Sequence, residues 1–178
     1  MELEEKTIRS SYPFTGKIVK VRIDDVLLPD GKQGKREIVE HSGAVAIVPV
    51  LNNLDVLCIR QYRKAAGKTL LEVPAGIIEA GEKVEDCAQR ELAEEIGFQS
   101  NKLVKLTAFF PSPGFSSEMI HLYLAQDLVK KEVEKPDDEF IFIESFPLSQ
   151  ALKKIQSGMI EDGKTIIGLL MALNKLNV

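Results

Sequence analysis

The chain has 178 residues, a length typical of one globular domain. Hydrophobic residues make up 44% and charged residues 28% of the sequence, which excludes a disordered chain or a coiled coil. The 23 basic and 27 acidic side chains give a net charge of -4, which argues against a general nucleic-acid binder, because such proteins carry a basic surface for phosphates.

The sequence also bears on location. It contains no apolar stretch of the ~20 residues that a membrane-spanning helix requires, and its start does not resemble a signal peptide. The two cysteines, Cys58 and Cys87, lie among apolar residues and lack the spacing of a metal site. We therefore expect a cytoplasmic protein with no membrane partner, whose thiols pack in the interior.

The first half of the chain is typical of β-strands. Strands are predicted at residues 17–28, 36–40, 44–51, 55–60 and 69–73. The turn signal Pro29-Asp30-Gly31 joins the first two strands as a hairpin. The pair Asn52-Asn53 tolerates positive φ, so the third and fourth strands are predicted to form a second hairpin.

The pattern changes after residue 82. Residues 83–96 contain no Gly or Pro and few β-branched residues, which predicts a helix of about four turns that is capped by Gly97. Further strands are predicted at 103–109, 119–125 and 140–144, and helices at 149–157 and 165–176. Strands and segregated helices without regular βαβ alternation indicate an α+β fold, or a mixed sheet flanked by helices.

Three carboxylates share one side of the predicted helix at 83–96. At about 100° per residue, Glu91, Glu94 and Glu95 fall within an arc of about 100°, beside the core-facing Leu92 and Ile96. Like charges at this spacing repel by a few tenths of a kcal/mol per pair, so a bound cation would account for them. Oxygen ligands without His or Cys favour a hard ion such as Mg²⁺ or Mn²⁺. A solvated acidic face is the alternative.

The glutamates belong to a longer fixed pattern. Residues 76–98 read GIIEAGEKVEDCAQRELAEEIGF, that is, G-x5-E-x7-R-E-U-x-E-E-x-G-U with U an aliphatic or bulky apolar residue. Because each fixed residue has an abundance of about 5–7%, chance occurrence in one chain is on the order of 10⁻⁷. The pattern resembles the signature box of the Nudix hydrolases, complete and without a departure.

Four residues of the box are expected to be structural. Gly76 allows the backbone to approach a ligand closely, and Gly97 ends the helix. Arg90 is predicted to form a bidentate pair with Glu82, which would fasten the loop to the helix.

The resemblance implies a fold, an activity and a metal site. The fold is a mixed β-sheet between helices at residues 41–178, preceded by an antiparallel β extension at 1–40. The activity is hydrolysis of a nucleoside diphosphate linked to another group, in which Mg²⁺, or Mn²⁺ in its place, polarises the pyrophosphate and readies a water for attack on phosphorus. The implied metal ligands are Glu91, Glu94, Glu95 and the carbonyl of Ala75, and Glu94 and Glu95 are also implied in catalysis.

The flanks of the box bear on the substrate. The segment RQYR at 60–63, LLEVPAG at 70–76 and SPG at 112–114 resemble the ADP-ribose pyrophosphatase branch, although relatives that act on other nucleotide sugars share parts of them. Arg63 is a candidate phosphate ligand or a surface charge. Glu72 is a candidate ligand of adenine or ribose, or a solvent-facing residue. The backbone of Gly114 is a candidate to approach the terminal ribose.

The general base is predicted in an acidic loop. The family's ADP-ribose enzymes use a glutamate in a mobile loop after the box, and here that loop reads VEKPDDEF at 133–140. Glu139 is the first candidate, Asp138 the second and Glu118 the third, because the acidic run permits more than one register. Glu118 is also a candidate substrate ligand, and a solvated carboxylate run is the alternative for the loop.

Residues 1–40 contain too few apolar side chains to form a core of their own. In the resembling enzymes this segment is a small sheet exchanged between subunits, so the resemblance implies a homodimer. Arg36 is then a candidate to reach the substrate of the other subunit.

Three functions are compatible with these motifs. The leading hypothesis is Mg²⁺-dependent hydrolysis of ADP-ribose, with water, to AMP and ribose 5-phosphate. The second is the same chemistry on another nucleoside diphosphate sugar or a dinucleotide. The third is a regulator that binds a nucleotide without turnover, and the presence of all four box glutamates argues against it.

Overall fold

The structure, a computed structural model, describes residues 3–131, 133 and 140–178 and divides into two compact units. The first unit comprises Met1–Gly43 and Phe110–Met119, and the second comprises Ala44–Phe109 and Ile120–Val178. Within the described ranges, no helix is both long enough and apolar enough to cross a membrane.

The first unit contains a three-stranded antiparallel meander of β1 (Lys6–Thr15), β2 (Lys20–Leu27) and β3 (Gln33–Glu40). The predicted hairpin of β2 and β3 is confirmed. Every residue of β1 is exposed, which explains why no hydrophobic alternation predicted this strand. Ion pairs join the strands, because Asp25 of β2 binds both Arg9 (2.9 Å) and Lys35 (2.6 Å).

The second unit contains two sheets and the helices. Its strands are β4 (Ala44–Pro49), β5 (Asp55–Arg63), β6 (Lys68–Glu72), β7 (Ala75–Ile77), β8 (Phe98–Phe109), β9 (Ile120–Lys130) and β10 (Ile141–Pro147). Its helices are α1 (Val84–Glu91), α2 (Ala151–Gln156) and α3 (Gly163–Leu176). One sheet has the order β7-β4-β9-β8 and is mixed, because β4 and β9 are parallel; the other has the antiparallel order β10-β5-β6.

The strand β4 is buried on both faces. Successive side chains of a strand point to opposite sides, so Ala46 and Val48 pack in the cluster that contains α3, whereas Val45 and Ile47 pack in the cluster that contains α1. Helices therefore cover both faces of the mixed sheet. This confirms the predicted α+β fold with a mixed sheet sandwiched between helices.

The second predicted hairpin is wrong. β4 and β5 lie in different sheets and share only an isolated bridge between Val50 and Val56. Because β4 has β7 on one edge and β9 on the other, no edge remains for β5. The positive φ in the connection belongs to Leu54 (64°), whereas the Asn53 side chain accepts a hydrogen bond from the Asp55 N–H (3.1 Å).

The predicted helix at 83–96 is present, but its last turn is wider than expected. α1 ends at Glu91, and Leu92–Ile96 continues the chain as a π-helical segment. Such segments are frequent at functional sites. Gly97 ends the segment in the left-handed conformation (φ 74°), which confirms the predicted cap.

Candidate active site

Glu91, the last residue of α1, lies directly against Gly76 of β7. A β-carbon added at Gly76 would lie 1.9 Å from Glu91 Oε1 and 2.0 Å from its Cδ. The carboxylate therefore occupies space that only glycine leaves open. Glu91 is 8% exposed, so the close approach buries most of this acidic side chain.

Glu95 contacts the residue before that glycine. The backbone N–H of Ala75 donates to Glu95 Oε2 at 3.0 Å, and Glu95 is 4% exposed. Two buried carboxylates thus contact consecutive residues of β7. One comes from the end of α1 and the other from the π-helical segment. Backbone hydrogen bonding to a carboxylate stabilises its ionised form.

Arg90 links the loop before α1 to these glutamates. The predicted bidentate pair is present, because Arg90 Nε and Nη2 donate to Glu82 Oε1 (2.9 Å) and Oε2 (3.0 Å). These hydrogen bonds lower the pKa of Glu82 to about 2. Arg90 Nη1 donates to Glu91 Oε1 (2.5 Å) and Glu94 Oε2 (3.1 Å). One guanidinium therefore orders three carboxylates.

Both cysteines are interior groups, as the sequence predicts. Cys58 and Cys87 are fully buried, and burial raises the pKa of each thiol to about 12. Cys87 Sγ donates to the carbonyl of Ile77 (3.6 Å) and accepts from Arg90 Nη2 (3.3 Å). This thiol therefore contacts both β7 and the guanidinium that pairs with Glu82. Neither thiol is a ready nucleophile.

The donor set at β7 and α1 fits a hard divalent ion. Glu91 and Glu95 are buried carboxylates that offer oxygen donors, and the space above Gly76 admits one of them close to the backbone. In the part of the chain that the structure describes, no three His, Cys, Asp or Glu side chains form a ready-made metal cluster. Arg90 provides the counter-charge for Glu91 and Glu94 in this arrangement.

A second polar cluster joins β5, β6 and the start of α3. Arg63 Nε and Nη2 donate to Glu72 Oε1 (2.7 Å) and Oε2 (2.8 Å), and Lys164 Nζ also donates to Glu72 Oε2. Glu72 is 1% exposed, so it does not face solvent. Burial alone would raise the pKa of Glu72, but the hydrogen bond from Arg63 and the charge of Lys164 outweigh it and lower the pKa.

This second cluster lies near the glutamates of the box. Hydrogen bonding to Glu72 raises the pKa of Arg63, and the negative charges of Glu95 and Asp162 act in the same direction. Arg63 is therefore within electrostatic reach of Glu95. The sequence did not single out Lys164, because no local pattern links it to a residue so far back in the chain.

Comparison with known proteins shows the family of the chain. The sequence model of the NUDIX domain matches residues 40–166, and that of the nucleoside diphosphate sugar hydrolase N-terminal domain matches residues 5–39. The chain belongs to the Nudix family.

Two curated relatives and one solved structure extend the comparison. An ADP-ribose pyrophosphatase of Bacillus subtilis (strain 168) is 44% identical over 165 residues, which cover 92% of this chain and 89% of the relative. A methanol dehydrogenase activator of Bacillus methanolicus is 44% identical over 168 residues, which cover 93% and 91%. A crystal structure described as an ADP compounds hydrolase has a TM-score of 0.90 at 23% identity and covers 99% of this chain and 97% of that chain, so the two share the fold.

Three other residues that the Nudix resemblance singles out lie in the first unit. Arg36 of β3 donates through Nε to Glu5 Oε2 (2.8 Å). Gly114 is exposed, with open space where a β-carbon would lie. Glu118 is half-buried, and its Oε1 lies 4.0 Å from His41 Nε2. The Nudix box, Arg63 and Glu72 all belong to the second unit.

The candidates for the general base in the acidic loop, Glu139 and Asp138, lie outside the described residues. Their role therefore stays a prediction from the sequence. The third candidate, Glu118, donates its backbone N–H to Ser116 Oγ at 3.2 Å.

Proposed function

We propose that the protein is a Mg²⁺-dependent hydrolase that converts ADP-ribose and water to AMP and ribose 5-phosphate. The observation that carries the proposal is the pair of buried glutamates, Glu91 and Glu95, held against Gly76 and Ala75 inside a complete Nudix box. The choice of ADP-ribose is supported by the 44% identity to an ADP-ribose pyrophosphatase over 92% of this chain.

The metal would be held by Glu91, Glu94, Glu95 and the carbonyl of Ala75. Bound divalent ions neutralise charge that develops on a pyrophosphate and make a bound water more nucleophilic. Arg90 is already shared between Glu91 and Glu94, so it keeps these carboxylates in place before an ion arrives. Mn²⁺ has similar ligand preferences and is expected to substitute for Mg²⁺.

The protein's own residues would bind the substrate and move the proton. Glu72 engages two nitrogens of Arg63, Nε and Nη2, and Nη1, which has no hydrogen-bond partner among the described residues, would donate to a phosphate. We assign the general base to Glu139, which would take the proton of the attacking water. Glu94 and Glu95 are assigned to the catalytic group, and Gly114, Glu118 and Arg36 to substrate binding.

Product analysis in ¹⁸O-labelled water tests the activity. Mass spectrometry is expected to find AMP and ribose 5-phosphate from ADP-ribose, with one ¹⁸O in the product whose phosphorus was attacked. A panel of other nucleoside diphosphate sugars and dinucleotides tests the choice of substrate. Faster cleavage of one of these compounds would make it the preferred substrate instead of ADP-ribose. The Glu95→Gln variant should bind ADP-ribose without cleaving it, which separates catalysis from mere recognition.

A second candidate function is regulatory. It is favoured by the Bacillus methanolicus relative, whose name describes an activator of methanol dehydrogenase. The test adds wild-type protein or Glu95→Gln to such a dehydrogenase. Activation by both proteins would support a role by binding alone, and activation by the wild type only would make the effect a consequence of hydrolysis.

We also propose a cytoplasmic homodimer, in which residues 1–40 form the dimer contact and residues 41–178 the hydrolase domain. All ten residues of β1 are exposed, including Ile8, Tyr12 and Phe14, and a second copy of the chain would cover them. The two buried, unpaired thiols support a reducing compartment. Sedimentation equilibrium at micromolar concentration should give twice the chain mass, and a monomer would contradict the proposal.

A further inference from the structure

Glu72 binds more positive charge than a single ion pair would supply. Its carboxylate is 1% exposed and is shared by Arg63 of β5 and Lys164 of α3. Lys164 Nζ is itself only 3.0 Å from Asp162 Oδ2, and its side chain is 13% exposed. A carboxylate as buried as Glu72 is costly to ionise unless it has charged partners, and Arg63, which is 38% exposed, supplies one of them, so the presence of a second, more buried cation calls for an explanation.

The position of Lys164 is fixed by the start of α3. Asp162 caps the helix, because its Oδ2 accepts from the Thr165 N–H (3.0 Å) and from Thr165 Oγ1 (2.6 Å). The same Thr165 Oγ1 accepts from the backbone N–H of Val73 at 2.8 Å. The cap thus ties Lys164 to the chain segment that leads from Glu72 into Ala75 and Gly76.

The second cation, Lys164, affects how the Arg63 guanidinium is held. Asp162 balances the charge of Lys164, so the contribution of Lys164 is positional: it holds Glu72 from the side of α3, while Arg63 holds it from β5. Glu72, held from both sides, fixes the edge of Arg63 that carries Nε and Nη2, and Nη1 has no hydrogen-bond partner among the described residues.

We propose that Lys164 is a positioning residue, which anchors Glu72 and thereby orients Arg63 toward a phosphate of the nucleoside diphosphate substrate. The inference rests on the proposed function, since it assigns Arg63 to that substrate. It concerns substrate affinity more than the chemical step, because Lys164 acts through two other side chains and touches no reacting atom.

The test compares Lys164→Met with Lys68→Met. Lys68 is a matched control, because it is the cross-strand neighbour of Arg63 and pairs with Glu161, but that pair is about half exposed and does not touch Glu72. Lys164→Met should raise KM for ADP-ribose by ~10-fold or more and lower kcat by a smaller factor, as expected for a lost contact to a charged group. Lys68→Met should change neither by more than about twofold, since exposed pairs contribute little.

Further variants and measurements distinguish a folding defect from a loss of substrate affinity. Lys164→Arg retains the charge and should recover most of the affinity. Calorimetric titration of ADP-ribose into Glu95→Gln, with and without Lys164→Met, should give the same loss as a change in Kd without turnover. Circular dichroism and thermal unfolding check that each variant is folded, and if Lys164→Met does not fold, Lys164→Gln takes its place.

The outcomes separate the two proposals. Equal KM and Kd values in Lys164→Met and Lys68→Met would overturn the inference while leaving hydrolysis intact. If the wild type binds ADP-ribose but does not cleave it, the proposed hydrolysis fails, and the Kd values alone decide the role of Lys164. A wild type that neither binds nor cleaves ADP-ribose overturns both.

Discussion

The carboxylate of Glu91 fills the space that any side chain at Gly76 would need, with its Oε1 1.9 Å from the position of a β-carbon. The position of the Glu91 carboxylate therefore depends on glycine at position 76. Glycine is therefore required at position 76 for a steric reason: a side chain there would collide with the carboxylate of Glu91. This requirement is independent of the backbone flexibility of glycine.

Gly76→Ala should consequently disable the site. The added methyl group forces Glu91 away from β7, and misplacement of a catalytic group by about 1 Å can cost on the order of 10²-fold in rate. We expect kcat/KM for ADP-ribose to fall by at least that factor, measured by steady-state kinetics. Gly163→Ala is the control, since nothing lies within 4 Å of its added carbon. Unchanged activity in Gly76→Ala would remove Glu91 from the site.

Glu82→Gln should make the stability of the protein less dependent on pH. The folded protein holds the pKa of Glu82 at about 2, below its usual value, through the hydrogen bonds from Arg90. Because the folded pKa is depressed, this contribution is complete above about pH 5 and is lost as the pH falls toward 2. Urea unfolding from pH 7 to pH 2.5 should show a lower and flatter free energy for Glu82→Gln than for the wild type.

The comparison has a neighbouring control. Glu79 is exposed, and its backbone N–H, rather than its side chain, contacts Glu82 (3.1 Å). Glu79→Gln should therefore follow the wild-type curve. If Glu82→Gln and the wild type lose stability in parallel on acidification, the Arg90 pair contributes nothing to folding.

Glu139→Gln should lower kcat by ~10²-fold or more if Glu139 is the general base, because the amide cannot take the proton of the attacking water. Steady-state kinetics against pH should also lose the limb on the acidic side. Asp138→Asn and Glu118→Gln are made in parallel as the other two candidates. A full-rate Glu139→Gln combined with a slow Asp138→Asn would transfer the role to Asp138.

Gly168→Ala should destabilise the protein without touching the site. A β-carbon at Gly168 of α3 would lie 2.8 Å from Val48 Cγ2 and 3.2 Å from Leu122 Cδ1, both in the core. Overpacking costs about 1–3 kcal/mol, and the better helix propensity of alanine returns up to about 1 kcal/mol. Thermal unfolding should show a Tm lower by a few degrees, whereas Gly163→Ala should not lower it. An equal or higher Tm would mean that α3 shifts away from the sheet at no cost.

The sequence predicts what depends on local spacing. The Nudix box, the Arg90–Glu82 pair and the Gly97 cap lie within one short segment, and each follows from residue types at fixed distances. The partners of β4 do not, because a strand buried on both faces carries no signal for which edge another strand will occupy. The contact between Lys164 and Glu72 spans 92 positions, so only the folded chain reveals it.

The π-helical segment was missed for a different reason. Leu92–Ile96 has a composition that suits an α-helix equally well. In the structure, Leu92 and Ile96 of this wider turn pack in the core while Glu95 accepts a hydrogen bond from Ala75. The sequence thus predicts that these residues are helical. It could not predict the backbone conformation that they adopt.

The ion pairs of Asp25 in the first unit and those of Glu72 in the second unit differ in their access to dissolved salt. In the meander of β1, β2 and β3, the side chains of Arg9 and Lys35 are 76% and 70% exposed and their partner Asp25 is 23% exposed. In the second unit, the side chains of Arg63 and Lys164 are 38% and 13% exposed and their partner Glu72 is 1% exposed. Counterions screen exposed charges over a distance of about 8–10 Å and screen buried or partly buried pairs much less. High salt should therefore weaken the cross-strand pairs of Asp25 more than it weakens the contacts of Arg63 and Lys164 with Glu72.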